Sequence, residues 1–112
     1  MFSDRTEVYR HSFGKPPEIV ICTRDEKSAA SYGLLLDLSL EGAKVFSEAE
    51  VGKGMDFFEL KFHIYHDAIA TEARLVWKAP HRDGWTYGFR FRKDPVREML
   101  LAKELGSLKE QM

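Results

Sequence analysis

The sequence predicts an all-β domain with a terminal helix: a six-stranded antiparallel β-barrel followed by one C-terminal α-helix. Three observations predict it. Apolar and polar residues alternate over successive short segments, the period of a strand with one wet face. Short polar turns join the segments, among them Asp83-Gly84, a strong hairpin signal. The C-terminal segment drops that period and opens with Asp94 and Pro95, a helix-start signal. Six strands that each carry one apolar face close naturally into a small barrel, which hides its edges.

The elements follow in order. Residues 1–15 are charged and aperiodic and read as a flexible N-terminal arm. In "PPEIVICTR", two prolines suit an extended start or an edge, and Ile19, Val20 and Ile21 suit a strand. "RDEKSA" is a turn. The second strand, residues 30 to 40, places Leu34, Leu36, Leu38 and Leu40 on one face. Glu41-Gly42 turns into a short third strand. "MDFFELKFHIYH" sets Phe58, Leu60, Phe62 and Ile64 against Phe57, Glu59, Lys61 and His63. "DAIATEARLVWK" sets Ile69, Thr71, Ala73, Leu75 and Trp77 against Glu72, Arg74 and Lys78. "WTYGFRFRK" alternates Trp85, Tyr87, Phe89 and Phe91 with Thr86, Gly88, Arg90 and Arg92. The barrel therefore spans 16–93, and Asp37, Ser39, Arg90 and Arg92 are expected to point out of it. The helix spans 94–112, with Gly106 as a position that ends or loosens it. It carries two apolar patches. Val96, Met99 and Leu100 are expected on the barrel; Leu101, Leu105, Leu108 and Met112 complete that contact or meet a second subunit as a homodimer.

Composition bounds the function. The chain has 112 residues, enough for one domain, with 44% hydrophobic and 31% charged residues, the balance of a soluble globule. A net charge of −1 gives no bulk electrostatic case for long nucleic acid or an anionic membrane. It leaves room for a small anion held by a local basic cluster. A single cysteine, Cys22, excludes an intramolecular disulfide. The N-terminus has no signal-peptide core, and no apolar run approaches the roughly 20 residues of a membrane span. A cytoplasmic protein without membrane insertion is expected.

Several residues resemble parts of active sites without forming one. His63 and His66 fall on opposite faces of an extended strand, and no cysteine joins them as zinc would need, so no metal site is expected. Cys22 has no activating neighbour in sequence. Ser39 lacks the flanking glycines of a nucleophile elbow. "GKG" at 52 to 54 lacks the spacing and following helix of a phosphate loop. No catalytic residue, and no enzyme, is expected.

One stretch, "DLSLEG" (Asp37 to Gly42), sets a carboxylate and a hydroxyl two apart before a turn. Such a pair is either an ordinary polar outer face or a ligand contact. The stretch matches the D/N-x-S-x-x-G motif of PilZ domains. "YGFRF" (Tyr87 to Phe91) resembles the closing strand of that family, and a terminal helix follows it. The likeness covers residues 9 to 105. The resemblance implies a barrel that binds the bacterial second messenger cyclic di-GMP. In that reading Asp37 accepts from a guanine edge, Ser39 donates to a phosphate, and Gly42 lets the backbone approach closely. Arginine supplies the rest in such domains, since its flat fork reads guanine, stacks on it and neutralises phosphate.

The arm departs from the family's R-x-x-x-R pair. "YRHSFGKPP" offers Arg10 as the leading arginine, but His11 and Lys15 stand where the pair belongs. Histidine is mostly neutral at pH 7, and lysine lacks the bidentate geometry. The ligand-binding set is thus Arg10, His11, Lys15, Asp37, Ser39 and Gly42, with no resident cofactor. Two functions are open: a cyclic di-GMP receptor or adaptor that signals to a protein partner, and a degenerate module that acts by protein contact alone.

Overall fold

The computed structural model describes residues 10–23, 30–51 and 56–111, the last three without their side chains. Seven strands and one helix appear among them: β1 (Arg10–Ser12), β2 (Glu18–Thr23), β3 (Ala30–Ser39), β4 (Gly42–Ser47), β5 (Phe57–His63), β6 (Ala68–His81), β7 (Gly84–Phe91) and α1 (Pro95–Gln111). The sheet runs β1-β3-β2-β5-β6-β7-β4, and β3 pairs with β4 as well, which closes β2 to β7 into a six-stranded antiparallel barrel. The predicted fold class stands.

The extra strand comes from the expected arm. Arg10, His11 and Ser12 pair with Ser39, Leu38 and Asp37 of β3. The Phe13 N–H donates to the Leu36 carbonyl at 3.0 Å, and the Leu35 N–H donates to the Pro17 carbonyl at 2.8 Å. β1 and β2 therefore follow one another along β3, both antiparallel to it. Between them lie Pro16 and Pro17, which have no N–H to give a ladder. The rest of the arm, residues 1–9, lies outside the described residues.

Leu38, Phe58, Leu60, Phe62, Tyr87 and Phe89 fill the barrel, as the alternation predicts, and Ile19 and Ile21 join them. Each fully buried aliphatic or Phe side chain contributes about 1.5–3 kcal/mol. The Tyr87 hydroxyl, at the end of a buried ring, accepts from the Val51 N–H at 2.8 Å and donates to the Ala49 carbonyl at 3.1 Å.

Two β-bulges overturn two expected faces. In β3 the pairing with β4 skips Leu36, passing from Leu35 opposite Val45 to Asp37 opposite Lys44. Leu35 is consequently buried, Leu34 is exposed, and Leu36 stands outside the core cluster. The four leucines do not share a face. In β6 the pairing with β7 skips Val76, passing from Leu75 opposite Phe89 to Trp77 opposite Gly88. Trp77, expected inside with Leu75, is 44% exposed. An extra residue re-aims everything beyond it.

The helix packs mainly through its second patch, with Leu100 of the first partly buried beside it. Leu101 and Leu105 are buried with Leu108 packed beside them, while Val96 and Met99 stand in solvent. The same buried face carries Arg97 and Glu104. A reading by apolar spacing puts both charges outside. Asp94 caps α1, its Oδ1 accepting the N–H groups of Val96 (3.1 Å) and Arg97 (3.3 Å). Gly106 does not end the helix. No helix among the described residues is long and apolar enough to cross a membrane.

Candidate functional site

The two bulges face the same part of the barrel wall. Asp37 lies opposite Lys44, Lys44 opposite Gly88, and Gly88 opposite Trp77, one row across β3, β4, β7 and β6. A Cβ on Gly88 would sit 2.0 Å from the Trp77 indole nitrogen, so the indole lies on the bare glycine backbone. The next row on this face pairs Gly42 with Arg90. A Cβ on Gly42 would come within 2.2 Å of the Phe89 carbonyl oxygen. Glycine is therefore needed for β4 to approach β7. Together these rows frame a hollow of about 370 Å³, lined by Arg10, Asp37, Glu41, Lys44, Trp77 and Arg90 among others.

Its electrostatics favour an anion with a flat part. Three cations face two carboxylates around one exposed indole. Arg10 donates through Nη1 to Asp37 Oδ1, and the pair closes one side of the hollow. That contact runs from β1 to β3, and the β1 pairing brings Arg10 to it.

The remaining expected site residues are placed differently. Ser39 stands opposite Arg10, on the face of Asp37, but is buried there; its Oγ accepts the Glu41 N–H at 3.2 Å and reaches the Gly42 carbonyl at 3.5 Å. The hydroxyl shapes the turn in which it stands. His11 is buried, its ring set edge-on to Phe13 with centroids 4.5 Å apart, so it turns away from the hollow. Lys15 is exposed in the break between β1 and β2 and does not line the hollow. The structure thus brings Arg10, Asp37 and Gly42 together and leaves His11, Lys15 and the Ser39 hydroxyl elsewhere. Sequence reasoning missed Trp77, Lys44 and Arg90 as members of the site. The Gly88 gap in an otherwise bulky strand was the available sign that a large side chain crosses it.

The helix supports this wall from behind. Arg97 Nη1 donates to the Leu40 carbonyl at 3.2 Å, inside the Asp37–Gly42 turn, and Nη2 donates to the Arg92 carbonyl. The guanidinium also sits over the Phe91 ring, 5.0 Å from its centroid. Burial lowers the Arg97 pKa, and the nearby Glu98 and Asp94 charges oppose that shift. At the other end of α1, Glu104 Oε1 accepts the N–H groups of Tyr65 (3.1 Å), His66 (2.7 Å) and Asp67 (3.1 Å). Burial alone would raise its pKa; those three donors and the His66 charge outweigh it and hold the carboxyl below its ordinary value. Among the described residues, no group of three or more His, Cys, Asp or Glu is arranged to hold a metal.

The family model that matches is the PilZ domain, over residues 7–106. No curated protein matches the sequence. Among solved structures, YcgR from Escherichia coli in complex with c-di-GMP is 25% identical with a TM-score of 0.73, over 98% of this chain and 48% of that one. The PilZ domain of YcgR with c-di-GMP, also from Escherichia coli, is 19% identical with a TM-score of 0.74, over 96% of this chain and 94% of that one. The Bacillus subtilis inhibitor of motility MotI/DgrA is 13% identical with a TM-score of 0.68, over 98% of this chain and 54% of that one. The chain spans about half the length of the YcgR and MotI/DgrA chains it resembles. The last two likenesses carry the fold alone.

Proposed function

Since this chain belongs to the PilZ domain family, we propose that it is a cytoplasmic receptor or adaptor of second-messenger signalling that takes cyclic di-GMP in the hollow beside Asp37. One observation carries the reading: bulges and register bring Arg10, Asp37, Lys44, Trp77 and Arg90 around a single hollow. Cyclic di-GMP has two anionic phosphates and two flat guanines. Asp37 suits the donor edge of a guanine. Lys44 and Arg90 suit phosphate, and Trp77 offers a face on which a base stacks. Arg10 neutralises Asp37 in the free chain. A guanine that takes Asp37 releases the Arg10 fork for the O6 and N7 edge or for phosphate. Ser39 acts on the ligand indirectly, by holding the turn.

Calorimetry with cyclic di-GMP tests this. Saturable binding is expected, and Asp37→Ala or Arg10→Ala is expected to weaken it by about 1–3 kcal/mol, the worth of a charge-assisted or bidentate contact. Absence of heat in the wild type at high nucleotide concentration overturns it. The second reading, a module that acts by protein contact alone, is favoured by one observation. His11, where the family has arginine, is packed against Phe13 and is not free to reach a ligand.

A further inference from the structure

Beside the Asp37 hollow lies another, which the reading above does not use. Phe57 of β5 is opposite Arg74 of β6, and Arg74 is opposite Arg90 of β7. All three are exposed on the outer wall, Phe57 by 62%. With Arg92 and Glu72 they border a hollow of about 360 Å³ floored by Ala73 and Phe91. Arg92 is paired with Glu72 at 2.8 Å. Arg74 and Arg90 have no carboxylate partner among the described residues.

Like charges directly across a strand pair are destabilising. Two guanidiniums side by side, with an exposed aromatic ring in the same row, offer an anion two forks and a stacking face. An arginine fork binds phosphate in a bidentate way, and an exposed Phe ring stacks on a planar group. We propose that the hollow formed by Phe57, Arg74, Arg90 and Arg92 is a second anion site, taking a planar ring that carries a phosphate. The ring lies on Phe57 and the phosphate between Arg74 and Arg90. The site goes beyond the Asp37 hollow and shares only Arg90 with it.

The test uses the full chain, labelled for NMR, with phenyl phosphate as probe. Inorganic phosphate and phenol stand for its two halves. Saturable shifts are expected at Phe57, Ala73, Arg74 and Phe91, with phenyl phosphate bound more tightly than either half. Phe57→Ala, an exposed change, should weaken phenyl phosphate at least about fivefold and leave inorganic phosphate unchanged. Arg74→Gln should weaken both anions while raising Tm, because it relieves the like-charge pair. Saturable phenyl phosphate binding at these residues in a wild type that gives no heat with cyclic di-GMP would uphold this site and sink only the reading of the Asp37 hollow. The proposal is overturned by shifts gathered around Trp77 and Lys44, by indifference to Phe57→Ala, or by the absence of saturation. It also falls if a tetraglutamate peptide binds there more tightly than phenyl phosphate, which would make the hollow a dock for an acidic chain.

Discussion

Asp37 and Ser39 stand two residues apart, and the structure gives them unrelated work. Asp37 reaches the outer wall and meets Arg10. Ser39 is buried and holds the Glu41 N–H. The two substitutions should therefore separate stability from affinity. Ser39→Ala removes a buried hydrogen bond and should cost about 1 kcal/mol of stability, which for a domain of this size lowers Tm by roughly 4–8 °C. Asp37→Ala breaks one ion pair whose Arg10 side is about half exposed and should move Tm less than Ser39→Ala does, while abolishing most nucleotide heat. Thermal melts beside calorimetry on both variants check this. A Ser39→Ala protein that melts like wild type would return the hydroxyl to the ligand. The motif was legible in the sequence because its residue types are distinctive. The burial of the Ser39 hydroxyl was not, because it depends on β1 pairing over β3 and on the turn that follows, and alternation registers neither. His11 shows a related limit: its sequence position suggested a ligand contact, and in the structure its ring is buried edge-on to Phe13, apart from the hollow's lining.

The strands were legible from alternation, since a period of two is hard to mimic once six segments show it. What alternation cannot register is an inserted residue. Leu36 and Val76 each reverse the faces that follow, and Trp77 comes outside for that reason. Helix α1 itself was legible, but its buried face was not. Its buried face mixes Leu101, Leu105 and Leu108 with Arg97 and Glu104. The charges are tolerated because backbone groups of opposite polarity meet them: carbonyls for Arg97, N–H groups for Glu104. Such pairing is invisible to any count of apolar residues. It also makes the docking of α1 dependent on pH. The folded carboxyl of Glu104 titrates below its unfolded value. Its contribution is therefore complete above the ordinary Glu pKa of about 4.3 and is lost as pH falls through the lower folded value. Glu104→Gln should lower Tm at pH 7 and flatten the loss of stability in acid. Melts from pH 7 down to pH 3 on both proteins check it. A variant with the wild-type acid slope would assign that slope to other carboxylates.

At the scale of the whole molecule, the candidate site joins parts that are far apart in the chain. Arg10 comes from β1, Asp37 from β3, Lys44 from β4, Trp77 from β6 and Arg90 from β7. Behind the wall, Arg97 ties the Asp37–Gly42 turn to α1 through the Leu40 carbonyl. A ligand seated in the hollow thus touches five strands and stiffens a turn that the helix holds. Because the hollow exists only when the barrel is closed, the unfolded chain has nothing equivalent to bind. Ligand free energy then adds to folding free energy. At a hundredfold excess over Kd the addition is about 2.7 kcal/mol, a rise in Tm on the order of 10 °C for a domain of this size. Cyclic di-GMP should produce that rise in the wild type and a much smaller one in Asp37→Ala at the same concentration. Arg97→Met should lower the starting Tm, because the Leu40 and Arg92 carbonyls lose their donor. It should keep a ligand-induced rise, because Arg97 does not touch the hollow. Differential scanning calorimetry across the three proteins, with and without nucleotide, checks each step. An unmoved Tm in the wild type at saturating nucleotide sinks the receptor reading. The barrel, its motif turn and the buried clamp would then serve a protein partner without a nucleotide.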